Sequence, residues 1–434
     1  MRRAPRGARL VESAALVGAL ALMLVPAAAR AAGFELAQQG VVAAGMGSAA
    51  TAVDGDAAAA WFNPAALADG GGLRAGLGVT LAFSTIHAAA LPTAPDAPWQ
   101  ASTRNGVSTP PYVHLSYAYR RFAGGLAVNV PFGSRVRWAA DWHERFDIVS
   151  SEPQFFRVAP FVAWRFGPVR VAAGPHFDFG TLRLEKATNH IAEEGYATML
   201  FHGWGVGGDA SVYLDVHPQV AVGVSYKSRT AIKLSGDADF EVPVAFQPRY
   251  PDQQVKSDWT LPDRIAVGAA ARFGRFRVVG DLVVTLWSVN DVLPIDFSDP
   301  ATEDKVQQNH WRTTFAVRAG GEYAFRDRYA VRLGMYADGL PKPAPPAAYL
   351  APSSPDSTRI AVTAGGSVRL WRGFSADVFY EYLTLLERSS TSADAPMAKY
   401  HGDAHVIGLG LRWQPAADHG PRAPRATLLG RRGE

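Results

Sequence analysis

The chain has 434 residues, 43 basic and 39 acidic, and no cysteine. Residues 1–31 hold five Arg and one Glu, so the remainder is balanced at 38 of each sign, which removes the case for a nucleic-acid partner. Past those residues no apolar run reaches the eighteen that a spanning helix needs, so a helical inner-membrane protein is excluded.

The amino terminus reads as a secretory signal peptide. Arg2, Arg3, Arg6 and Arg9 make a positive start, Ala14 to Val25 is apolar, and Ala29-Arg30-Ala31 offers small residues for cleavage. Cleavage is expected after Ala31. Residues 32–72 follow, small and Ala/Gly-rich, without period-two alternation. Their large side chains are Phe34, Trp61 and Phe62.

From residue 73 the pattern changes. Val113, Leu115, Tyr117 and Tyr119 alternate with His114, Ser116, Ala118 and Arg120. Phe315, Val317, Ala319, Gly321, Tyr323 and Phe325 alternate with a polar or small set, and so do Ile407, Leu409, Leu411 and Trp413. Period two means strands with one apolar face. The other face carries Gly, Ala, Arg, Asp and Glu in bulk, which suits a polar interior with lipid outside. The strands are expected at 73–88, 110–120, 122–137, 154–166, 169–185, 201–216, 219–235, 258–273, 275–290, 310–325, 328–338, 358–371, 374–388 and 401–414. Connections alternate between short (Arg120-Arg121, Gly167-Pro168, His217-Pro218, Gly274, Arg326-Asp327, Arg372-Gly373) and long, as in a barrel with short periplasmic turns and long outer loops. The fold class is therefore all-β: a fourteen-stranded antiparallel transmembrane barrel over 73–414, with residues 32–72 as a plug in the lumen. Residues 415–434, rich in Pro and Arg, read as a disordered periplasmic tail.

Several motifs stand in order along this frame: Ala32-Gly33-Phe34-Glu35-Leu36, Gly45-Met46-Gly47, Trp61-Phe62-Asn63-Pro64-Ala65-Ala66-Leu67, Val128-Asn129-Val130-Pro131-Phe132-Gly133, Asp258-Trp259-Thr260-Leu261-Pro262-Asp263, and Ala404-His405 before Ile407-Gly408-Leu409-Gly410. Together they resemble the FadL/TodX family of long-chain fatty acid and aromatic hydrocarbon transporters of the Gram-negative outer membrane, over about residues 32–414. The resemblance implies an amino-terminal hatch inside the barrel, passive diffusion, and sideways exit of ligand through a gap at a kinked third strand. It departs from the family at its end, where about twenty residues follow the last aromatic, Trp413.

Residue chemistry fits that route. Pro131 removes a ladder donor, and Gly133 is expected to permit the bend. Asn63, before Pro64, is expected to tie the hatch to the wall near the kink. Alternation places Arg157, Arg165, Arg170, Asp178, Asp209, Lys227, Arg229, Arg264, Arg318, Glu322, Arg332, Arg359, Asp377 and Glu381 on the polar face, mostly as a structural charge ladder. A carboxylate headgroup would need one or two cations beside an apolar pocket. By resemblance the Arg183–Lys186 stretch carries one, Lys186 being favoured over Arg183, and Arg318 is the second choice. With Phe34 these are the candidate ligand-binding residues. No cofactor, metal or catalytic residue is expected. The expected partners are hydrophobic small molecules and outer-membrane lipid, and the expected state is a monomer. The rivals are a barrel enzyme acting on lipids, for which no nucleophile motif stands out, a general porin, which needs no hatch, and a structural or adhesive barrel.

Overall fold

A computed structural model describes residues 33–94, 97–190, 193–326, 328–390 and 397–414. The expected signal peptide and the expected carboxy-terminal tail lie outside the described residues. Fourteen wall strands form one closed antiparallel ring. They are β1 (Gly72–Ala90), β2 (Pro111–Tyr119), β3 (Phe122–Gly133), β4 (Ser150–Phe166), β5 (Val169–Asn189) and β6 (Glu194–His217). Then come β7 (Val220–Lys227, continued by Thr230–Glu241), β8 (Gln253–Leu261, continued by Arg264–Phe273), β9 (Phe276–Thr285) and β10 (Thr314–Phe325). The ring ends with β11 (Tyr329–Leu340), β12 (Arg359–Arg369), β13 (Phe374–Ser389) and β14 (Ala398–Trp413). Closure comes from β14 pairing back onto β1, from Ala75↔Trp413 to Ala90↔Ala398. The first and last strands thereby leave no open edge between them, so the fold needs no disulfide.

The alternation sorts the wall as the sequence requires. Val113, Leu115, Tyr117 and Tyr119 face outward and exposed, while Tyr112, His114, Ser116 and Ala118 are buried. Val162 and Leu333 each leave 70% of their surface open on the outer face, which only a lipid surrounding would cover. Aromatic pairs stand beside the short turns, Phe122 on Trp164 at 4.4 Å and Phe276 on Tyr323 at 4.5 Å, as an interfacial belt does. The turns themselves use left-handed backbone at Arg120, Gly167, Gly274, Arg326, Arg372 and Gly373. Cysteines placed at Ala245 or Ala348 should label with an impermeant maleimide on intact cells, and cysteines at Gly167 or Gly274 should not. The reverse labelling pattern would invert the barrel.

Several strands run further outward than their apolar faces indicate. The expected loop at 186–200 is a ribbon, since β5 and β6 pair up to Asn189↔Glu194. Likewise β7 reaches Glu241 and β8 starts at Gln253. Other strands stop short of expectation: β3 ends at Gly133, β9 at Thr285, and β10 starts at Thr314. One face assignment is corrected. Arg229 does not face the lumen: the seventh strand breaks at Ser228 and Arg229, and Lys227 and Thr230 are both buried. The added residue turns Arg229 outward onto Asp263 at 2.8 Å. Ser228 holds the break by exchanging hydrogen bonds with the backbone of Gly208.

The inward charges form ion pairs across neighbouring strands: Arg157 with Asp178 at 2.7 Å, Arg170 with Asp215 at 2.7 Å, Lys227 with Asp209 at 3.0 Å, and Arg412 with Asp377 at 2.6 Å. Asp178 takes two bonds from Arg157 and a third from Thr230. Asp178→Ala should therefore cost about 3–5 kcal/mol by leaving Arg157 buried and alone, read as a fall in the temperature at which the folded band is lost in unboiled electrophoresis. Arg157→Met with Asp178→Leu should recover most of that loss.

Candidate functional site

Residues 33–71 contain no strand. They fold as two single-turn helices, α1 (Val41–Ala44) and α2 (Ala59–Phe62), and a 3-10 turn, Pro64–Leu67. Ala and Gly dominate because the backbone of this segment touches the inner wall directly. A Cβ on Gly320 would meet Met46 O at 2.4 Å, and one on Gly334 would meet Gly47 N at 2.1 Å. Wall carboxylates and arginines bind the segment's backbone and acids. Asp281 accepts from Ala50 N at 2.8 Å, Thr51 N at 2.9 Å and Thr51 Oγ1 at 2.7 Å. Arg170 donates to Ala66 O at 2.8 Å, Arg412 pairs with Asp56 at 2.8 Å, and Arg272 pairs with Asp54. Trp61 lies under Lys227, 4.3 Å from its ring centre, and under Arg157. The Asn63 amide donates to Thr51 O at 2.8 Å and to Val212 O at 3.0 Å, so it ties the segment to β6 rather than to the third strand. Pro64 opens the 3-10 turn that follows, a place where its missing donor costs nothing.

The start of the segment rises to the outer half of the barrel and ends in an aromatic cage. The Phe34 ring packs on Trp287 at 4.8 Å, Trp259 at 5.3 Å, Trp311 at 5.6 Å, Phe132 at 5.9 Å and Phe155 at 6.0 Å. Leu182, Leu184, Met199, Phe201, Ile232 and Leu234 belong to the same buried cluster. Gly33 N donates to Asp356 Oδ2 at 2.8 Å. Burial lifts the Asp356 carboxyl to about 6, against the pull of Arg359 and Arg388. Glu35 accepts from Arg264 Nε at 2.9 Å and Thr285 Oγ1 at 2.8 Å, with Arg318 Nη2 at 3.6 Å. Another cavity of about 600 Å³ opens among the outer loops, lined by residues such as Arg312, Lys342, Ser357 and Arg388, and shares no residue with this cage.

The wall is interrupted beside Phe34. β2 and β3 pair only as far as Val113↔Val128, and β3 then continues to Gly133 with no partner on β2. On its other edge the register with β4 shifts between Asn129↔Arg157 and Phe132↔Phe155, a bulge centred on Val130 and Pro131. The free edge of β3 is taken by the amino-terminal segment. Glu35 forms an antiparallel bridge with Phe132, Leu36 N donates to Pro131 O at 2.8 Å, and Gly133 N donates to Phe34 O at 3.0 Å. Opposite Leu36 an ordinary residue would return a second hydrogen bond, and Pro131 has no N–H to return. The Gln39 amide fills in, donating to Leu36 O at 2.9 Å and Val130 O at 2.8 Å. Asn129 in turn donates to Gln39 Oε1 at 2.8 Å and contacts His114 at 3.2 Å. Further out the wall resumes, where Arg104 N donates to Arg137 O at 2.7 Å and Arg135 donates to Val107 O at 3.1 Å.

Of the residues singled out from the sequence, the structure brings Phe34, Arg318, Pro131 and Gly133 to this one region. Gly133 is not required by the backbone: its φ is not positive and a Cβ there would sit 3.6 Å from its nearest neighbour, so the break belongs to Pro131 and the bulge. Arg183 points out of the barrel and pairs with Glu185, while its neighbours Leu182 and Leu184 point in. Lys186 stands at the outer end of β5 beside Lys305 and Asp147, among partners that are not cage residues. Sequence reasoning did not single out Glu35, Thr285, Trp259, Trp287 or Trp311 as site residues, and it placed Arg264 only on the polar face. A usable signal was present: Glu35 adjoins the one large side chain near the start of an otherwise small-residue segment.

The sequence profile of the outer membrane protein transport proteins (OMPP1/FadL/TodX) matches residues 22–414. The Neisseria meningitidis serogroup B protein NMB0088, whose name places it in the outer membrane, is 25% identical over 88% of this chain and 94% of its own. Among solved structures, a Pseudomonas aeruginosa FadL homologue superposes with a TM-score of 0.78 at 17% identity, covering 88% of this chain and all of that one. The Ralstonia pickettii toluene transporter TbuX superposes at 0.67 with 18% identity over 86% of this chain and 98% of its own, and the Pseudomonas putida toluene transporter TodX at 0.68 with 15% identity over 88% and 99%. At these identities the structural likeness concerns the fold.

Proposed function

The chain belongs to the outer membrane protein transport family (OMPP1/FadL/TodX), and we propose that it passes hydrophobic compounds from the outer loops into its barrel and out sideways through the interruption between β2 and β3. The observation that carries this reading is the shared location of three features: an aromatic cage, a segment of the chain's own sequence filling it, and a missing stretch of wall pairing beside it. An apolar ligand gains roughly 0.8 kcal/mol for each methylene kept out of water, so a route from an aromatic cage straight into lipid favours long or ring-bearing molecules. A polar solute gains nothing there.

In the resting arrangement residues 33–68 close the lumen and Phe34 occupies the ligand's place. Displacing the Gly33–Leu36 stretch would empty the cage and free the edge of β3 in one movement, because both are held by the same four residues. The hatch, the Phe34 and Arg318 subsite and the Asn63, Pro64, Pro131 and Gly133 gate are parts of this proposal, as are transport without catalysis and the monomeric state. Lys186 and Arg183 belong at most to capture at the outer surface. The test is uptake by cells that lack their own transporter of this class. Phe34→Ala, which unplugs the cage without touching the barrel, should raise uptake of a radiolabelled long-chain compound several-fold above the unmodified protein. Unchanged uptake of apolar probes together with raised uptake of sugars would favour a plain pore.

A further inference from the structure

Four of the short turns carry arginine flanked by aromatic residues. Tyr119-Arg120-Arg121-Phe122 joins β2 to β3, and Phe273-Gly274-Arg275-Phe276 joins β8 to β9. Phe325-Arg326-Asp327-Arg328-Tyr329 joins β10 to β11, and Arg369-Leu370-Trp371-Arg372-Gly373-Phe374 joins β12 to β13. Arg120, Arg326 and Arg372 have left-handed backbone, where glycine or asparagine costs less, so the turns alone do not call for arginine. The last three turns form one arc: Ala324 N donates to Arg275 O at 3.0 Å, and Arg369 N donates to Arg328 O at 2.7 Å. Two strands per turn, at a spacing of about 4.8 Å, place successive turns roughly 10 Å apart. Over this arc the sequence sets Arg275, Arg326, Arg328, Arg369 and Arg372 against one acid, Asp327.

All five arginines are exposed. Arg277 and Arg332, on the lumen face, share Glu322, whereas among the described residues none of the five has an ion pair. On the membrane side the arc is aromatic. Trp371 leaves 66% of its surface open and Phe276 56%. Phe276 packs on Tyr323 at 4.5 Å and Phe325 on Tyr329 at 5.4 Å, and the Arg328 guanidinium lies over Tyr329, 5.6 Å from its ring centre. We infer that this arc is a docking surface for anionic phospholipid, its aromatic side chains among the glycerol and upper acyl groups and its arginines on the phosphates. Aromatic residues mark the depth at which hydrocarbon ends on a barrel, and phosphates lie just beyond. A planar guanidinium matches two oxygens of a phosphate. Lumen cations are out of reach of lipid and bring their own carboxylates, whereas the membrane supplies the counter-charge of those at the rim. A soluble acidic partner would use the arginines but not the exposed aromatic band at their base. The inference concerns the lipid-facing surface and is independent of the route of the cargo.

The test titrates the full barrel in nonionic detergent with dioleoyl phosphatidylglycerol or dioleoyl phosphatidylcholine, and bound lipid is counted by native mass spectrometry. The glycerol lipid should bind about tenfold more tightly than the choline lipid, and added salt should shrink the difference. A neutral variant combines Arg275→Gln, Arg328→Gln and Arg369→Gln with Arg326→Asn and Arg372→Asn, asparagine being tolerated in left-handed backbone. It should bring the two lipids within about twofold of each other. Lysine at all five positions keeps the charge without the planar fork and should retain part of the preference. Lys233→Gln with Lys256→Gln, which removes exposed cations from the outer half of the wall, should leave the preference unchanged. Should the neutral variant not run as a folded barrel in unboiled electrophoresis, Arg275→Gln with Arg328→Gln and Arg369→Gln spares the left-handed positions and should lose about half of the preference. Equal binding of the two lipids by the unmodified protein, or an unchanged preference in the neutral or triple variant, overturns the inference. Displacement of phosphatidylglycerol by an equal concentration of glycerol phosphate or polyglutamate would assign the arginines to a water-soluble anion and overturn it as well.

Discussion

Deleting residues 33–68 should convert a nearly closed barrel into an open pore, with single-channel conductance in planar bilayers rising by at least about tenfold, since a fourteen-stranded lumen is too wide for wall side chains alone to fill. The expectation follows from what holds the segment. Its backbone lies against wall glycines, at Gly320 and Gly334 so closely that a Cβ would overlap it, so no solvent layer separates plug from wall. Apart from the outer end of β3, the wall does not depend on the plug for its pairing, because the ring closes through β1 and β14. Asp281, Arg170, Arg272 and Arg412 would lose their partners on the plug but gain water, which a buried charge exposed to a filled lumen can use. The deleted protein should therefore still run as a folded barrel in unboiled electrophoresis. A folded deletion protein with unchanged conductance would place the constriction in the outer loops instead.

Much of the fold was legible because lipid writes a strict code. Where a strand crosses the hydrocarbon, every second residue must be apolar, and Val113 to Tyr119 obeys it without exception. Above the membrane the code inverts, and there the reading failed. At the outer end of β5 the inside is the apolar cluster and the outside is water, so Leu182 and Leu184 point in and Arg183 points out. Arg183 was named from the resemblance, and a rule that sends polar residues to the lumen would also have put it on the wrong side. The same loss of lipid hides the outer ribbons, since Glu194 to Thr198 need no apolar face to pair with β5. The turn of Arg229 is invisible for another reason: the break at Ser228 is fixed by the backbone of Gly208, a partner remote in sequence. The cage was hidden likewise, because Trp259, Trp287 and Trp311 come from three separate segments and meet only when the barrel closes on Phe34.

Locking the Gly33–Leu36 stretch to β3 should stop nearly all uptake. Leu36 and Pro131 stand directly opposite in an antiparallel bridge register, where Cα atoms lie roughly 5.5 Å apart, within the range a disulfide spans. The chain has no cysteine of its own, so Leu36→Cys with Pro131→Cys would form one defined cross-link. Oxidised, the double variant should lose about nine-tenths or more of its uptake of hydrophobic compounds, because Phe34 cannot leave the cage while its neighbour is tied to the wall. Reduction should restore uptake in the same cells. The reduced double variant should nonetheless stay below the Leu36→Cys single variant, because a residue with an N–H at 131 can return the hydrogen bond to residue 36 that Pro131 withholds, so the reduced form should open less readily than the protein with proline. On the proposed route Pro131 has a role apart from bending the strand. It would withhold a backbone hydrogen bond whose place only the Gln39 side chain fills, and Pro131→Ala alone should slow uptake by roughly threefold to tenfold with barrel assembly unchanged, the value of one net backbone hydrogen bond. If the oxidised cross-linked protein carries hydrophobic probes at the native rate, cargo does not pass the Phe34 cage, and the route must lie elsewhere in the barrel.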